Sequence, residues 1–199
     1  VVAHHFCRDD DSDKRDPLRA MRSIAYQLAE AFPEYREAVL ALGLTAETLQ
    51  QKNATALFNV LLKGPLLSMS PPEGSRKVVV IDALDECDKR GRNDLLRCIQ
   101  HHFMELPSWL CFFLTTRPEV NIVKPLGKFR PLTLEPDSAE NMADVRLYIR
   151  DHLKGRLPEA VLDQGTAILL QKSDGLFIYA RYAVERLQPQ DTITMEELH

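Results

Sequence analysis

The sequence predicts an α/β protein: a parallel β-sheet flanked by helices, followed by a small all-helical domain. The segment Lys77 to Asp82 reads Lys-Val-Val-Val-Ile-Asp, and four successive β-branched residues without polar alternation describe a strand covered on both faces. Leu110 to Thr115 is a second apolar strand, reached through a helical stretch near Asp94 to Glu105. From Asp137 onward the apolar residues recur only at helical spacing. Strands separated by helices give a doubly wound architecture, and the change of pattern places the domains at 1–136 and 137–199.

The remaining elements follow in order. Val1 to Cys7 is short, apolar and β-branched at its start, which suits a strand, and the charged run Arg8 to Asp16 reads as the loop after it. Asp16 is a good N-cap with Pro17 at the first helical position, and Leu18, Met21, Ala25, Leu28 and Ala29 mark a helix that should stop at Pro33. A second helix is expected over about Ala54 to Leu62, disturbed at Gly64-Pro65, with a surface connection over Ser68 to Ser75. Arg130 to Leu134 reads as a weaker strand. In the helical part, Met142, Val145, Ile149 and Leu153 make one face. Val161, Ile168 and Leu169 support a second helix, and Leu176, Ala180, Ala183, Val184 and Leu187 a third.

Composition narrows the function classes. A net charge of −4 and a pI near 5.9 provide no basic face, so nucleic acid is not expected as a partner. No apolar run approaches the roughly 18 residues that span a bilayer, and the first residues lack the regions of a signal peptide, so no membrane association and a cytoplasmic location are expected. Cys7, Cys87, Cys98 and Cys111 form no CxxC pair and read as reduced thiols. The pairs His4-His5 and His101-His102 cannot converge on a metal, because adjacent residues diverge on a strand or a helix. No Gly-x-Ser-x-Gly setting or Cys and His constellation supports a hydrolase triad. The chain does not begin with methionine and stops in polar text, so it reads as a fragment.

The chemistry-bearing residues sit where the strands end. In an open parallel sheet, ligands bind beyond the carboxyl ends of the strands, where Asp82, Asp85 and Glu86 must lie. A buried strand that ends in carboxylates needs a cation or donors to accept them. This is the pattern of a Walker B motif, with Asp82 as the magnesium residue and Asp85 or Glu86 orienting the attacking water. The next strand ends in Thr115-Thr116-Arg117-Pro118-Glu119, which brings hydroxyls and a guanidinium to the same rim if the strands are parallel. Thr116 and Arg117 are suited to a terminal phosphate, and an Arg117 pairing with Glu86 or Glu119 is the purely structural alternative.

Together these blocks resemble the NACHT branch of the STAND ATPases, including the nephrocystin-like versions found beside ankyrin, tetratricopeptide or WD repeats. His5-Phe6-Cys7-Arg8 with Asp16-Pro17 and Ile24-Ala25-Tyr26-Gln27-Leu28 is similar to the family's second strand and following helix. Val79 to Cys87 is similar to its Walker B segment, Thr115 to Glu119 to its sensor segment, and Gly175-Leu176-Phe177-Ile178-Tyr179-Ala180 to the Gly-Leu-Phe element of its helical domain. The resemblance implies a P-loop NTPase-like sheet, ATP or ADP with Mg²⁺ as cofactors of the parent module, and a switch in which nucleotide binding and slow hydrolysis control partner assembly. It implies Asp82 on the metal, a water-activating role shared by Asp85 and Glu86, Thr116 and Arg117 on the terminal phosphate, and Gly175 and Phe177 on the adenine side. Partners are expected to be proteins, met through flanking repeats or effector domains, with homo-oligomerisation on activation. The alternative is a degenerate scaffold that keeps the fold without hydrolysis.

No stretch fits G-x-x-x-x-G-K-[ST]. In the sheet order that the resemblance implies, the P-loop strand is central, so this chain should lack an interior strand. Arg130 to Leu134 is then expected to pair poorly, to shift against the sensor strand, or to be completed by other protein. Triphosphate binding by this chain alone should be very weak without the loop's backbone donors and lysine.

Overall fold

The structure, a computed structural model, describes residues 1–50, 53–74, 76–87 and 93–187. It divides into two compact units, Val1–Pro131 and Leu132–His199. The last residues of the expected helical domain, 188–199, lie outside the described residues.

The first unit opens with β1 (Ala3–Phe6). α1 (Pro17–Ala31) starts as the sequence predicts: the Asp16 carboxylate accepts the Leu18 N–H at 2.8 Å, and Pro17 occupies a position that needs no N–H. Its face of Ala20, Met21, Ile24, Ala25 and Leu28 is buried. Pro33 ends this helix and also begins α2 (Pro33–Ala41), because the same missing N–H that stops one helix is harmless in the first turn of another. α3 (Ala46–Gln50) follows.

The expected helix over 54–62 is not a plain α-helix. α4 (Ala54–Leu57), capped by the Asn53 side chain at the Ala56 N–H, runs into a π-helical turn over Phe58–Lys63 and then into α5 (Gly64–Ser68). Pro65 explains part of this, since it has no N–H for the Leu61 carbonyl four residues earlier. The hydroxyl of fully buried Tyr35 donates to that carbonyl instead, and burial pushes the phenol well above its ordinary pKa.

β2 (Lys77–Asp82), α6 (Asp94–His102), β3 (Leu110–Leu114) and α7 (Val120–Leu126) complete the unit. The three strands form a parallel sheet in the order β1-β2-β3, with His5 beside Ile81 and Ile81 beside Leu114. On one face Ala3, His5, Val79 and Ile81 are buried in the core, with α1 against β1 and against α6. The expected cover on both faces is not observed: on the other side Val78 and Val80 are only half-buried, and Phe6 and Phe113 are 52% and 60% exposed. Along the outer edge of β1, the Gln27 amide accepts the His4 N–H at 3.0 Å and donates to the His4 carbonyl at 2.8 Å, taking the place of a neighbouring strand.

The expected strand Arg130 to Leu134 does not form. Arg130 adopts a left-handed conformation (φ 51°), Pro131 has no N–H to give a ladder, and Leu132 and Leu134 are 95% and 92% exposed. Among the described residues β3 pairs only with β2, so its other edge is open.

The second unit contains α8 (Ala139–Leu153), α9 (Glu159–Ser173) and α10 (Phe177–Leu187). Ser138 caps α8 by accepting the Asn141 N–H at 3.2 Å. Val145, Ile149 and Leu153 bury against Leu162, Leu169, Ala180 and Val184, at the spacing the sequence predicts. Among the described residues, no helix is long and apolar enough to cross a membrane.

Candidate functional site

Two parallel neighbours that end at the same level bring their following residues together, and the register of β2 and β3 does this for Asp82 and Thr115. The Thr115 N–H donates to the Ile81 carbonyl at 3.0 Å, which carries the ladder one residue past β3. The Thr115 hydroxyl donates to Oδ1 of Asp82 at 2.5 Å and accepts the Ala83 N–H at 2.9 Å. Its carbonyl accepts the Leu84 N–H at 2.9 Å. These bonds hold a sharp turn: Ala83 lies in the left-handed region (φ 53°, ψ 52°), at a cost of about 1–2 kcal/mol for a residue with a Cβ.

That turn leads into the short 3₁₀ helix Leu84–Glu86 and aims the next two acids at the end of β3. Oδ1 of Asp85 accepts the Thr116 hydroxyl at 3.2 Å and the Arg117 N–H at 3.0 Å, and Oδ2 lies 3.6 Å from Nε of Arg117. Glu86 receives weaker bonds, from the Arg117 guanidinium at 3.4 Å and from the Asp9 N–H at 3.3 Å. The Asp85 side chain is only 5% exposed, that of Glu86 24% and that of Arg117 70%. The structure therefore brings Asp82, Asp85, Glu86, Thr116 and Arg117 to one rim of the sheet, and it joins Arg117 to Asp85 and Glu86.

The arrangement separates the three acids chemically. Asp85 has both oxygens committed and almost no access to solvent. Asp82 gives one oxygen to Thr115 and, among the described residues, keeps Oδ2 without a protein partner. Glu86 holds long, partly solvated bonds that water or a ligand can replace. Among the described residues no group of three or more His, Cys, Asp or Glu could hold a metal ion by itself. Mg²⁺ that keeps its waters and rests on a nucleotide needs only one or two carboxylates, and the unshared oxygen of Asp82 fits that demand.

Gly175 and Phe177 belong to the second unit. Gly175 has φ +73°, and a Cβ there would lie 1.9 Å from the Pro136 carbonyl oxygen. The Asn141 amide donates to the Pro136 carbonyl at 2.6 Å and to the Gly175 carbonyl at 2.8 Å, closing this approach. Phe177 is half-exposed and meets Tyr148 edge-on, with ring centroids 5.9 Å apart. Both residues thus have local structural duties.

The sequence brought Thr115 to the rim without a role for it, and passed over Asp9. The role of Thr115 could have been found from strand length alone, since a hydroxyl one residue beyond a strand can reach the carboxylate ending its neighbour. Asp9 acts through its backbone and leaves no side-chain signal.

A family model described as Nephrocystin 3, N-terminal, matches residues 1–117, which include β1 through β3 and every residue of the rim cluster. Neither the curated proteins nor the solved structures offer a match to the chain.

Proposed function

The chain belongs to the nephrocystin 3 N-terminal family, and from that premise we propose that it is the core of a nucleotide-dependent assembly switch of the NACHT type. One observation carries the reading: the acids at and just beyond the end of β2 and the hydroxyls and guanidinium after β3 meet at the carboxyl rim of a parallel sheet, the place where such sheets take ligands. The open edge of β3 and the half-bare face of the sheet agree with a fold whose phosphate-loop strand and helix come from outside these residues.

In this proposal Asp82 holds Mg²⁺ through the oxygen that Thr115 leaves free. Bound magnesium would neutralise phosphate charge and fix the triphosphate in place. Thr115 orients Asp82 and keeps the strained turn at Ala83 closed. Glu86, the more accessible and more weakly bonded acid, orients the attacking water. Asp85 is a positioning residue: it holds Thr116 and the backbone of Arg117 where a terminal phosphate would arrive. Arg117 then exchanges carboxylates for phosphate oxygens, to which its fork of donors is equally suited. ATP and ADP are the expected nucleotides, protein partners and self-association the expected outputs, and the cytoplasm the expected location.

The test uses a polypeptide carrying this chain with an upstream phosphate-binding loop. Magnesium-dependent ATP binding that Asp82→Ala abolishes supports the switch, and affinity unchanged by that substitution rejects it. A second reading, a scaffold that keeps the fold without hydrolysis, is favoured by the closure of Asp85 and Glu86 on Arg117 within the protein itself. It predicts that Asp82→Ala and Glu86→Gln leave both nucleotide affinity and partner binding unchanged.

A further inference from the structure

We propose that the cleft between the outer edge of β1 and α1 binds a phosphate dianion, free or as a small organic monoester, on Lys14 and Arg22. The cleft has a volume of about 530 Å³, and its lining includes none of the rim residues Asp82, Asp85, Glu86, Thr116 and Arg117. The nucleotide switch gives it no task.

The cleft forms because β1 is short and its partner helix lies beside its free edge. β1 stops at Phe6, and α1 returns alongside it with Gln27 in the place of a neighbouring strand at His4. The charged loop between them is pinned to the strand where Nε2 of His5 lies 2.9 Å from the Lys14 carbonyl oxygen. The space left between Gln27 and this loop is lined by Lys14, by Arg19, Arg22 and Ser23 of α1, and by Phe6, which is half exposed.

Arg22 carries the inference. It is half-buried, its Nε is shut off from water with no hydrogen-bond partner, and Nη2 donates to the Leu49 carbonyl at 3.1 Å. That carbonyl is neutral, so it fixes the guanidinium and leaves the charge uncompensated. Among the described residues no carboxylate pairs with Arg22, whereas Arg150, half-buried like it, lies against both Glu159 and Asp163. A guanidinium drawn partly out of water without a counter-charge is costly, and an anion in the cleft removes that cost.

Lys14 has a related need. The one described carboxylate paired with its ammonium, that of Asp11, is 3.9 Å away, too far for a hydrogen bond. Arg19 is matched by Asp13 at 2.7 Å, and Asp13 is the one acid in the lining. With the histidines neutral, the cleft therefore keeps the two positive charges of Lys14 and Arg22, in a chain whose net charge is −4. Ser23 adds a neutral donor, because its oxygen accepts the Gln27 amide at 3.2 Å and its proton remains to be given.

The donors select the ligand class. A compact ammonium from the loop, and a planar fork and a hydroxyl from α1, suit a group with several oxygens and two charges. A carboxylate has two oxygens and one charge, whereas a phosphate ester near neutral pH carries about −1.5 to −2 charges on three acceptor oxygens. The volume exceeds what a bare phosphate fills, and Phe6 offers an organic substituent an apolar wall.

The test titrates the 199-residue chain with sodium phosphate, with phenyl phosphate and, as control, with sodium acetate, at constant ionic strength so that screening is equal. Backbone amide NMR spectra report affinity and place together. Both phosphates should give saturable shifts at the Lys14, Arg22 and Ser23 amides, and acetate should give none. Lys14→Met and Arg22→Gln should each weaken binding roughly tenfold or more, the worth of a charge-assisted bond. Arg117→Ala should leave it unchanged, which separates this cleft from the rim and its result from that of the nucleotide switch. Phenyl phosphate binding more tightly than phosphate would identify an organic monoester as the source, and equal or weaker binding the free ion. The Lys14 side chain is 47% exposed, so Lys14→Met decides alone should Arg22→Gln not fold. Failure of both phosphates to saturate, acetate binding as tightly as phosphate, shifts centred on Thr116 and Arg117, or affinity unchanged in Lys14→Met would overturn the proposal.

Discussion

The backbone N–H of Arg117 donates to Oδ1 of Asp85 at 3.0 Å, while the guanidinium of the same residue lies 3.6 Å from Oδ2. One residue thus meets a single carboxylate with both its main chain and its side chain, and the two contacts differ in worth. The backbone bond and the Thr116 hydroxyl bond end on a carboxylate that is almost wholly buried, whereas the guanidinium is largely in water. Asp85→Ala is therefore expected to destabilise the first unit by about 1–3 kcal/mol, because it leaves the Arg117 N–H unmatched, while the Thr116 hydroxyl can turn to the Arg117 carbonyl 3.2 Å away. Arg117→Ala should cost about 1 kcal/mol or less, the usual worth of a solvated ion pair. Urea denaturation of the two variants measures the difference, and equal losses would show that the ion pair, not the buried acceptor, organises the rim.

Thr115 carries the turn after β2. Its hydroxyl serves as donor to Asp82 and acceptor from Ala83, whose backbone is left-handed. Thr115→Val keeps the shape and removes both bonds, so a loss of about 1–3 kcal/mol is expected. Thr115→Ser restores the hydroxyl and should lie within about 1 kcal/mol of the parent. Thermal unfolding of the pair separates hydrogen bonding from packing: if valine and serine behave alike, the hydroxyl is not what holds Ala83.

How far the sequence speaks for the structure can be judged from particular residues. Asp16-Pro17 announced its helix because capping is local chemistry, settled by neighbours in the chain. The rim cluster was legible for a related reason: acids directly after one apolar strand and Thr115 to Arg117 directly after the next can only meet at the carboxyl ends if the strands are parallel. The π-turn over Phe58–Lys63 was not legible, since it depends on Tyr35 arriving from another helix to satisfy the Leu61 carbonyl. Arg130 to Leu134 failed as a strand for the converse reason. Its apolar residues ask for a ladder, and a ladder needs a neighbour that the described residues do not supply. The same absence leaves Val80 half-buried in a segment whose composition asks for cover on both faces. Sequence reported what each segment requires, and the structure showed which requirements are met within this chain.

The Cys7 thiolate makes stability depend on pH in a definite direction. Its pKa falls from 9.0, the ordinary value, to about 6 in the folded chain, first through the hydrogen bond from Cys87. The folded state therefore binds this proton less readily than the unfolded state. The stabilisation is full above pH 9.0, declines as pH falls, and is lost below about 6. His5 works in the opposite sense, because its raised pKa adds stability at low pH that disappears as pH rises through the folded value. Following the ultraviolet absorbance of the thiolate against pH should show one cysteine ionising near pH 6 in the native chain and none there in Cys7→Ser. Replacing Cys87 by serine should move that midpoint upward, since the strongest cause of the shift is removed or weakened.

Gly175 offers a test inside the second unit, with its own control. Gly155 and Gly175 share a positive φ, +79° and +73°, so an added Cβ is strained at both whatever the space around it. At Gly155 nothing lies within 4 Å of that Cβ, and Gly155→Ala should cost only the left-handed penalty of about 1–2 kcal/mol. At Gly175 the Cβ would sit 1.9 Å from the Pro136 carbonyl oxygen and 2.6 Å from its carbon, both backbone atoms. Relief requires the Pro136 backbone to withdraw, which would break the Asn141 amide's bridge between the Pro136 and Gly175 carbonyls. Gly175→Ala should therefore cost about 1–3 kcal/mol more than Gly155→Ala, the range for forced overpacking plus a lost bond. Thermal unfolding read from the second unit's own helices compares the two, and the Asn141→Ala background should shrink the gap. Equal melting of the two glycine variants would mean that the segment before α8 yields freely, and that the tight approach at Gly175 is not what fixes the start of α10.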